Sequence, residues 1–332
     1  MQEQDAKNFS IQNQEPPQKR RFLVFAISFA AAIFFFILFT LGRAPAEFLP
    51  DTFVEIEAGS SLSEIADLFE EKKIIRSPKL FVFFVRLEGR ERAIESGTYL
   101  FTRPQNVFAV ARRVATGNHG IEKVRVTIPE GTSTKEMAVL IGRSLPGVTF
   151  ESFTKEGSAK EGYLFPDTYF FFSTATTGPV IDTLEKNFSD KTKRLREEAR
   201  AMGMDWHEVI TMASLVEEEA ATEDDRRVIS GILWKRIAKG MRLQVDAPFV
   251  YLIGKGSAEL SQDDLAIDSP YNTYRYPGLP AGPISNPGLD SIEAAIYPQE
   301  TPFFYYLSDK EGVIHYANTF EDHKLNKERY LR

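Results

Sequence analysis

The sequence predicts an α+β protein: one N-terminal membrane-spanning helix, a small module, and a larger mixed α/β domain. Three observations carry this. An uncharged apolar run stands near the N-terminus; beyond it, strand-like alternation is interleaved with capped helical segments; and one strand–turn–helix segment occurs twice. At 332 residues, 43% hydrophobic and 26% charged, the chain is long enough for two folded units. Its net charge of −7 argues against a nucleic acid partner, which needs a basic surface. With no cysteine there is no disulfide, thiol nucleophile or thiolate metal site. The histidines His119, His207, His315 and His323 are scattered, without the spacing of a zinc site.

Residues 1–21 read as a polar cytoplasmic tail ending in Lys19-Arg20-Arg21. Residues 22–41 carry no charge, and twenty residues at about 1.5 Å each cross the hydrocarbon core of a bilayer. The alternative is a cleaved signal peptide, for which Ala44-Pro45-Ala46 offers a site, but the apolar core of such peptides is about 7–15 residues. Basic residues precede the span, whereas Glu47, Asp51, Glu55 and Glu57 follow it. The expected topology is therefore single-pass, with the folded domains outside the cytoplasm.

Residues 51–123 form the predicted module and 124–332 the larger domain. The segment from Val54 to Phe69 aligns without a gap on that from Val126 to Ile141. Each copy begins as an alternating strand, turns at Gly59 or Gly131 and enters a helix through Ser61-x-x-Glu64 or Ser133-x-x-Glu136, the spacing of a capping box. Between the copies a strand is expected at 97–102 and a helix at about 106–115, ending at Gly117. Glu161–Tyr169 packs aromatics, acids, Gly and Pro into nine residues, a composition suited either to a sugar cleft or to a packed loop. Further on come a charged helix at 184–202, a helix capped by Asp205-x-x-Glu208, a second at 226–239 stopped by Gly240, and a Pro/Gly-rich stretch through 278–288. A short helix at 291–295 and a hairpin pairing 303–307 with 313–316 complete the chain.

The chemistry concentrates in Glu217-Glu218-Glu219. At about 100° per residue, Val209, Met212, Leu215 and Val216 form one apolar stripe. Glu219 falls about 30° from its centre, and Glu217 and Glu218 about 130° away on opposite sides. A carboxyl held against apolar surface has a raised pKa and suits a general acid. By periodicity alone, Glu223 shares the stripe and is an equal candidate.

Seven motifs stand in one order: Ile128-Pro-Glu-Gly131, Glu161–Tyr169, Ala213-Ser-Leu-Val-Glu-x-Glu219, Gly240-Met-Arg-Leu-Gln-x-Asp246, Ser269-Pro-Tyr-Asn-Thr-Tyr274, Gly278–Gly288 and Thr301-Pro302. In these the chain resembles the endolytic murein transglycosylases, the YceG-like family, over roughly residues 53–323. The module at 51–123 is similar to LysM, a βααβ fold that binds N-acetylglucosamine polymers, although a spacer or structural role is favoured over sugar binding for it. The resemblance implies an inner-membrane-anchored enzyme that cuts peptidoglycan between N-acetylmuramic acid and N-acetylglucosamine with closure of a 1,6-anhydro ring. It implies that Glu219 alone is catalytic, which sets Glu223 aside, and that neither metal nor cofactor is needed. Peptidoglycan synthases are candidate partners. Glu161, Gln244, Asp246, Tyr271 and Asn272 are expected to position the sugar. Ala247-Pro248-Phe249 departs from the family pattern after Asp246 and leaves substrate contacts there open. Two alternatives remain: a hydrolytic muramidase using Asp246 or Glu161 as second carboxylate, and a non-catalytic glycan-binding scaffold. The enzymatic reading fails if Glu219 lies far from both the 161–169 and the 271–274 loops.

Overall fold

The computed structural model describes residues 18–91 and 94–331. Of the tail expected at 1–21, only 18–21 fall among them, and there the first helix, α1 (Gln18–Gly42), has already begun. Within it Phe22–Gly42, with a mean hydropathy of 2.8, is long and apolar enough to cross a membrane by length and composition. The chain divides into two compact units, residues 1–121 and 122–332.

The first unit continues through β1 (Thr52–Ile56), α2 (Leu62–Glu71), α3 (Pro78–Leu87), β2 (Gly97–Phe101) and α4 (Val107–Ala115). β1 and β2 pair antiparallel, Thr52 opposite Phe101 and Ile56 opposite Gly97. Alternation turns Val54 and Ile56 inward and Glu55 out. They meet Phe69, Phe81, Tyr99 and Phe101 in one core, where Phe69 packs edge-to-face on Phe81 and Phe101 with ring centroids 5.3 and 5.6 Å apart. Asn106 is the N-cap of α4, so the expected helix at 106–115 starts one residue later, and the strand expected at 97–102 ends one residue earlier.

The second unit opens with β3 (Lys123–Thr127), α5 (Thr134–Gly142), α6 (Phe150–Gly157) and β4 (Thr168–Phe172), again with antiparallel outer strands, Lys123 opposite Phe172. The repeat seen over 16 residues in the sequence therefore extends to a whole βααβ unit. Val54 to Val126 and Phe81 to Phe153 are both steps of 72 residues, and all four side chains are buried. Gly59 and Gly131 hold left-handed φ of +88° and +77° at the same turn, and both capping boxes are formed. The last strand arrives two residues early, so that Tyr99 corresponds to Tyr169. Val54 faces Tyr99 as Val126 faces Tyr169. Each tyrosine hydroxyl donates to the carbonyl four residues back, Glu95 at 3.0 Å and Phe165 at 2.7 Å.

Seven α-helices and a hairpin follow among the described residues. α7 (Thr177–Ala201) begins seven residues before the charged segment read at 184–202, because its first turns bury Val180, Ile181 and Leu184. α8 (Trp206–Glu219) is capped by Asp205, whose carboxylate accepts from the Glu208 amide at 3.0 Å. α9 (Glu223–Ala238) begins three residues before the expected 226 because Thr222 caps it. α10 (Ala247–Ile253), α11 (Gln262–Leu265) and α12 (Leu289–Ile296) are short. β5 (Tyr305–Ser308) and β6 (Ile314–Ala317) form the hairpin, with Tyr305 opposite Ala317, so the strands lie later than the expected 303–307 and 313–316. α13 (Phe320–Tyr330) closes the described chain.

α8 is the centre of this unit: Val209 through Val216 are all buried, packed among α7, α9, α10 and α12. The helical wheel supposed one buried and one solvated face. With eight consecutive residues covered, that supposition does not hold here.

Asn286, fully buried in the 278–288 stretch, joins three of the sequence motifs. Its side-chain oxygen accepts from the Gly162 and Leu164 amides, each at 2.9 Å. Its side-chain nitrogen donates to the Thr132 carbonyl and to Glu161, each also at 2.9 Å. The Gly131 amide donates to the Asn286 carbonyl at 3.0 Å. These contacts are why a Pro/Gly-rich segment without regular structure is ordered: its polar groups are answered from the βααβ repeat. Asn286→Ala strands two buried amides and takes a donor from buried Glu161, and denaturant unfolding is expected to show a loss of about 3 kcal/mol or more.

Candidate functional site

α8 ends on Glu219, where Ala220 turns extended (φ −143°, ψ 132°), so the three consecutive glutamates leave the core at its last turn. Each finds a different environment. The Glu217 side chain is 5% exposed and pairs with Arg226 at 2.8 Å; its other oxygen accepts from the Gly288 amide at 2.8 Å, at the N-terminus of α12. Arg226 also reaches the Ala220 carbonyl at 3.2 Å. Glu217 is thus a structural acid, tying α8 to α9 and α12. Glu218 is exposed and lies beside Gly131, where a Cβ would stand 2.9 Å from its carboxylate. Glu223, the other acid on the wheel, sits in the first turn of α9 as an exposed partner of Arg227 at 2.9 Å. The wheel fails there because α8 has already stopped.

Glu219 is half-buried and opens into a cavity of about 710 Å³ lined also by Arg236, Gln244, Asp246, Tyr274, Tyr305, Tyr306 and residues of α13. The Tyr306 hydroxyl donates to Glu219 Oε2 at 3.0 Å. Burial pushes the Glu219 carboxyl up to about 7; Asp246 and Glu218 add to the rise, while Tyr306 and Arg236 oppose it. Burial and the neighbouring Glu219 hold the Tyr306 phenol well above its ordinary range, so it stays a donor.

Around Glu219 the chain is held by side chain–backbone bonds. Arg236, on α9, donates through Nε to the Phe304 carbonyl at 2.7 Å and through Nη1 to the Leu243 carbonyl, fixing the start of the hairpin and the 243–246 strap. Thr273 pins the same strap: its hydroxyl donates to the Val245 carbonyl at 2.9 Å and accepts from the Val245 amide at 3.1 Å. Gln244 is forced to φ +49°, a conformation rare for a residue with a Cβ, and its amide donates to the Thr273 carbonyl at 3.1 Å. Asp246 accepts from the Tyr274 hydroxyl at 2.6 Å.

Of the expected site residues, the structure brings Glu219, Gln244 and Asp246 together. Glu161, Tyr271 and Asn272, expected to position the sugar with them, do not line this cavity. Glu161 is buried at the N-terminus of α5, accepting from the Thr134 amide at 3.0 Å as well as from Asn286. Asn272 is spent inside its own loop, donating to the Leu265 and Ile267 carbonyls and accepting from the Tyr274 and Arg275 amides. Tyr271 packs on Tyr251 with ring centroids 5.2 Å apart. The 161–169 loop is a packed loop: Leu164, Phe165 and Tyr169 are buried, and Asp167 accepts from Asn187. Glu219 adjoins the 271–274 loop through Tyr274. Sequence reasoning passed over Arg236, Tyr305 and Tyr306. The first reads as one more charge on a helix and the tyrosines as hairpin strand residues. The only signal was the aromatic density of 303–306.

The fold has known counterparts. A yceG-like protein from Listeria monocytogenes, solved by crystallography at 2.6 Å, is 31% identical with a TM-score of 0.56 over 83% of this chain and 98% of that one. The YceG-like family profile matches residues 54–329, and the chain belongs to this family. An endolytic murein transglycosylase of Bacillus subtilis (strain 168) is 31% identical over 305 residues, 84% of each protein. One of Streptococcus pneumoniae is 28% identical over 92% of this chain, which spans 63% of that longer protein.

Burial also pushes Glu161 up to about 7, against an ordinary value of 4.5. Because the folded value is the higher, the native state holds more protons across that window. The stabilisation Glu161 contributes is complete below 4.5 and is lost as pH rises through about 7. Glu161→Gln retains an acceptor for Thr134 and Asn286, so unfolding free energy followed from pH 4.5 to 8 should fall less steeply in the variant.

Proposed function

We propose that this chain is an endolytic murein transglycosylase, cleaving peptidoglycan strands between N-acetylmuramic acid and N-acetylglucosamine. The observation that carries the reading is Glu219: a single carboxyl, raised to about 7, facing a polar, tyrosine-lined cleft in a member of the YceG-like family. The names of the Bacillus and Streptococcus relatives agree with it.

In this reading protonated Glu219 gives its proton to the glycosidic oxygen as the C1–O bond breaks, leaving oxocarbenium character on the muramoyl ring. The resulting carboxylate is stabilised by the Tyr306 hydroxyl and by the nearby Arg236 charge. It then takes the proton of the muramoyl C6 hydroxyl as that oxygen attacks C1 and closes the 1,6-anhydro ring. Since the nucleophile belongs to the substrate, one acid/base residue suffices. Asp246, oriented by Tyr274, is suited to offset the positive charge developing at C1, and Gln244 to hold a hydroxyl or acetamido group. Glu161, Tyr271 and Asn272 support the surrounding loops instead.

The muramidase alternative rests on Asp246 as second carboxylate, Glu161 being engaged with Asn286 and α5. Product ends separate the two: the transglycosylase leaves anhydromuramic ends, a hydrolase leaves reducing ones. The helix at 22–42 is read as a retained anchor holding both units outside the cytoplasmic membrane, with Lys19-Arg20-Arg21 on the cytoplasmic side. The βααβ order of the first unit, with its outer strands paired antiparallel, supports a LysM-like module able to hold glycan.

Digestion of purified sacculi, read by mass spectrometry, should give anhydro ends. Glu219→Gln should lower the rate by about 10²–10⁴ while strand binding persists; reducing ends alone would refute the reading. Tyr306→Phe removes a bond that favours the carboxylate. The alkaline fall in kcat, centred near the Glu219 value of about 7, should then move to higher pH, with kcat down about 10- to 100-fold.

A further inference from the structure

The cavity that Glu219 opens into is not uniform in charge. Its wall carries the acids Glu219 and Asp246 together with Arg236 and, from α13, Phe320, His323, Lys327 and Leu331. The Lys327 side chain is exposed and has no hydrogen bond or ion pair to a described residue. Arg236 is buried, and the two of its nitrogens that are bonded meet neutral carbonyls, Phe304 and Leu243. The acid whose charge bears on it is Glu219, which must carry a proton to act, so in the reactive state the guanidinium lacks a full counter-charge. His323 stacks on Tyr305 with ring centroids 5.5 Å apart, and its Nδ1 is buried without a hydrogen-bond partner. Two cations share one cavity with tyrosine, phenylalanine and histidine ring faces. That combination suits an oxyanion attached to a sugar ring.

We propose that the α13 side of the cleft is a subsite for an oxyanion carried by the glycan strand, with Lys327 and Arg236 as its ligands and the His323 ring as part of its wall. The proposal rests on the transglycosylase reading of the same cleft. It extends that reading by assigning α13 a part in substrate selection: a strand would be oriented by its anionic substituent on the cationic side and cut where Glu219 reaches the glycosidic oxygen. Two sources carry this chemistry, the carboxylates of peptides borne by the muramoyl residues and a pyrophosphate at the end of a carrier-linked strand.

The test uses the full chain in detergent with four substrates: peptide-bearing strands, the same strands with their peptide carboxylates amidated, pyrophosphate-linked strands, and those strands after mild acid has removed the pyrophosphate. Lys327→Ala and Lys327→Glu are expected to raise KM about tenfold or more on an anionic substrate, the Glu variant more than the Ala variant. Neutralising the responsible anion should raise the wild-type KM similarly and leave little further effect of the Lys327 change. If amidation removes the difference between wild type and variant, the anion is the peptide carboxylate; if acid treatment removes it, the pyrophosphate. Wild-type KM in both variants on every substrate would overturn the subsite, and so would an equal rise on charged and neutralised strands. Failure of the wild type to form anhydro ends from any strand would instead overturn the transglycosylase reading.

Discussion

The burial of α8 on every face is the constraint on which the second unit depends. From Val209 to Val216 no side chain reaches solvent, so the helix can present polar groups only where it ends. Three consecutive glutamates stand there, and desolvating a carboxylate is costly unless something answers it. The protein answers each differently. Glu217 receives Arg226 and the Gly288 amide, Glu218 turns out past Gly131, and Glu219 keeps a raised pKa and an opening. Three chemically identical residues thereby acquire distinct roles from where one helix stops.

What surrounds Glu219 is built from segments far apart in the chain. The 243–246 strap, the 271–274 loop, the hairpin and α13 all contribute to its walls, and the first two have no regular structure to stiffen them. Arg236 and Thr273 replace secondary structure with side chain–backbone bonds, and the αL conformation of Gln244 persists because the strap is pinned on both sides. On the other side of α8 the Asn286 clasp does the same for the 161–164 and 278–288 segments.

The βααβ repeat gives the chain a recognisable economy of design. Both copies keep the turn glycine, the capping box, the buried Val-x-Ile pair and the tyrosine bonded to the carbonyl four residues back. They differ in what their loops meet. In the second copy the loop after the first strand runs beside Glu217 and Glu218 and receives the Asn286 carbonyl, and the residues before its last strand supply Glu161. The second copy has become the scaffold for the acidic end of α8.

The sequence by itself determined what depends on neighbours along the chain. The apolar span, the capped helix starts at Ser61, Ser133 and Asp205, the stop at Gly240 and the pairing of strand segments into a repeat all follow from spacing and local bonding. The family motifs selected Glu219 over Glu223, and the same residue is found at the cavity, although the wheel reached it by assuming a solvated face that α8 lacks. Tertiary structure alone decided the rest. Asn272 and Glu161 carry the residue types of a sugar site, yet their hydrogen-bonding capacity is consumed within the fold. Tyr306, unremarkable in sequence, reaches Glu219 because the hairpin folds back on it, and Arg236 lines the same cavity from α9. A side chain's type states which bonds it can make. Which bonds remain open to a substrate depends on partners tens of residues away, and no local pattern encodes them.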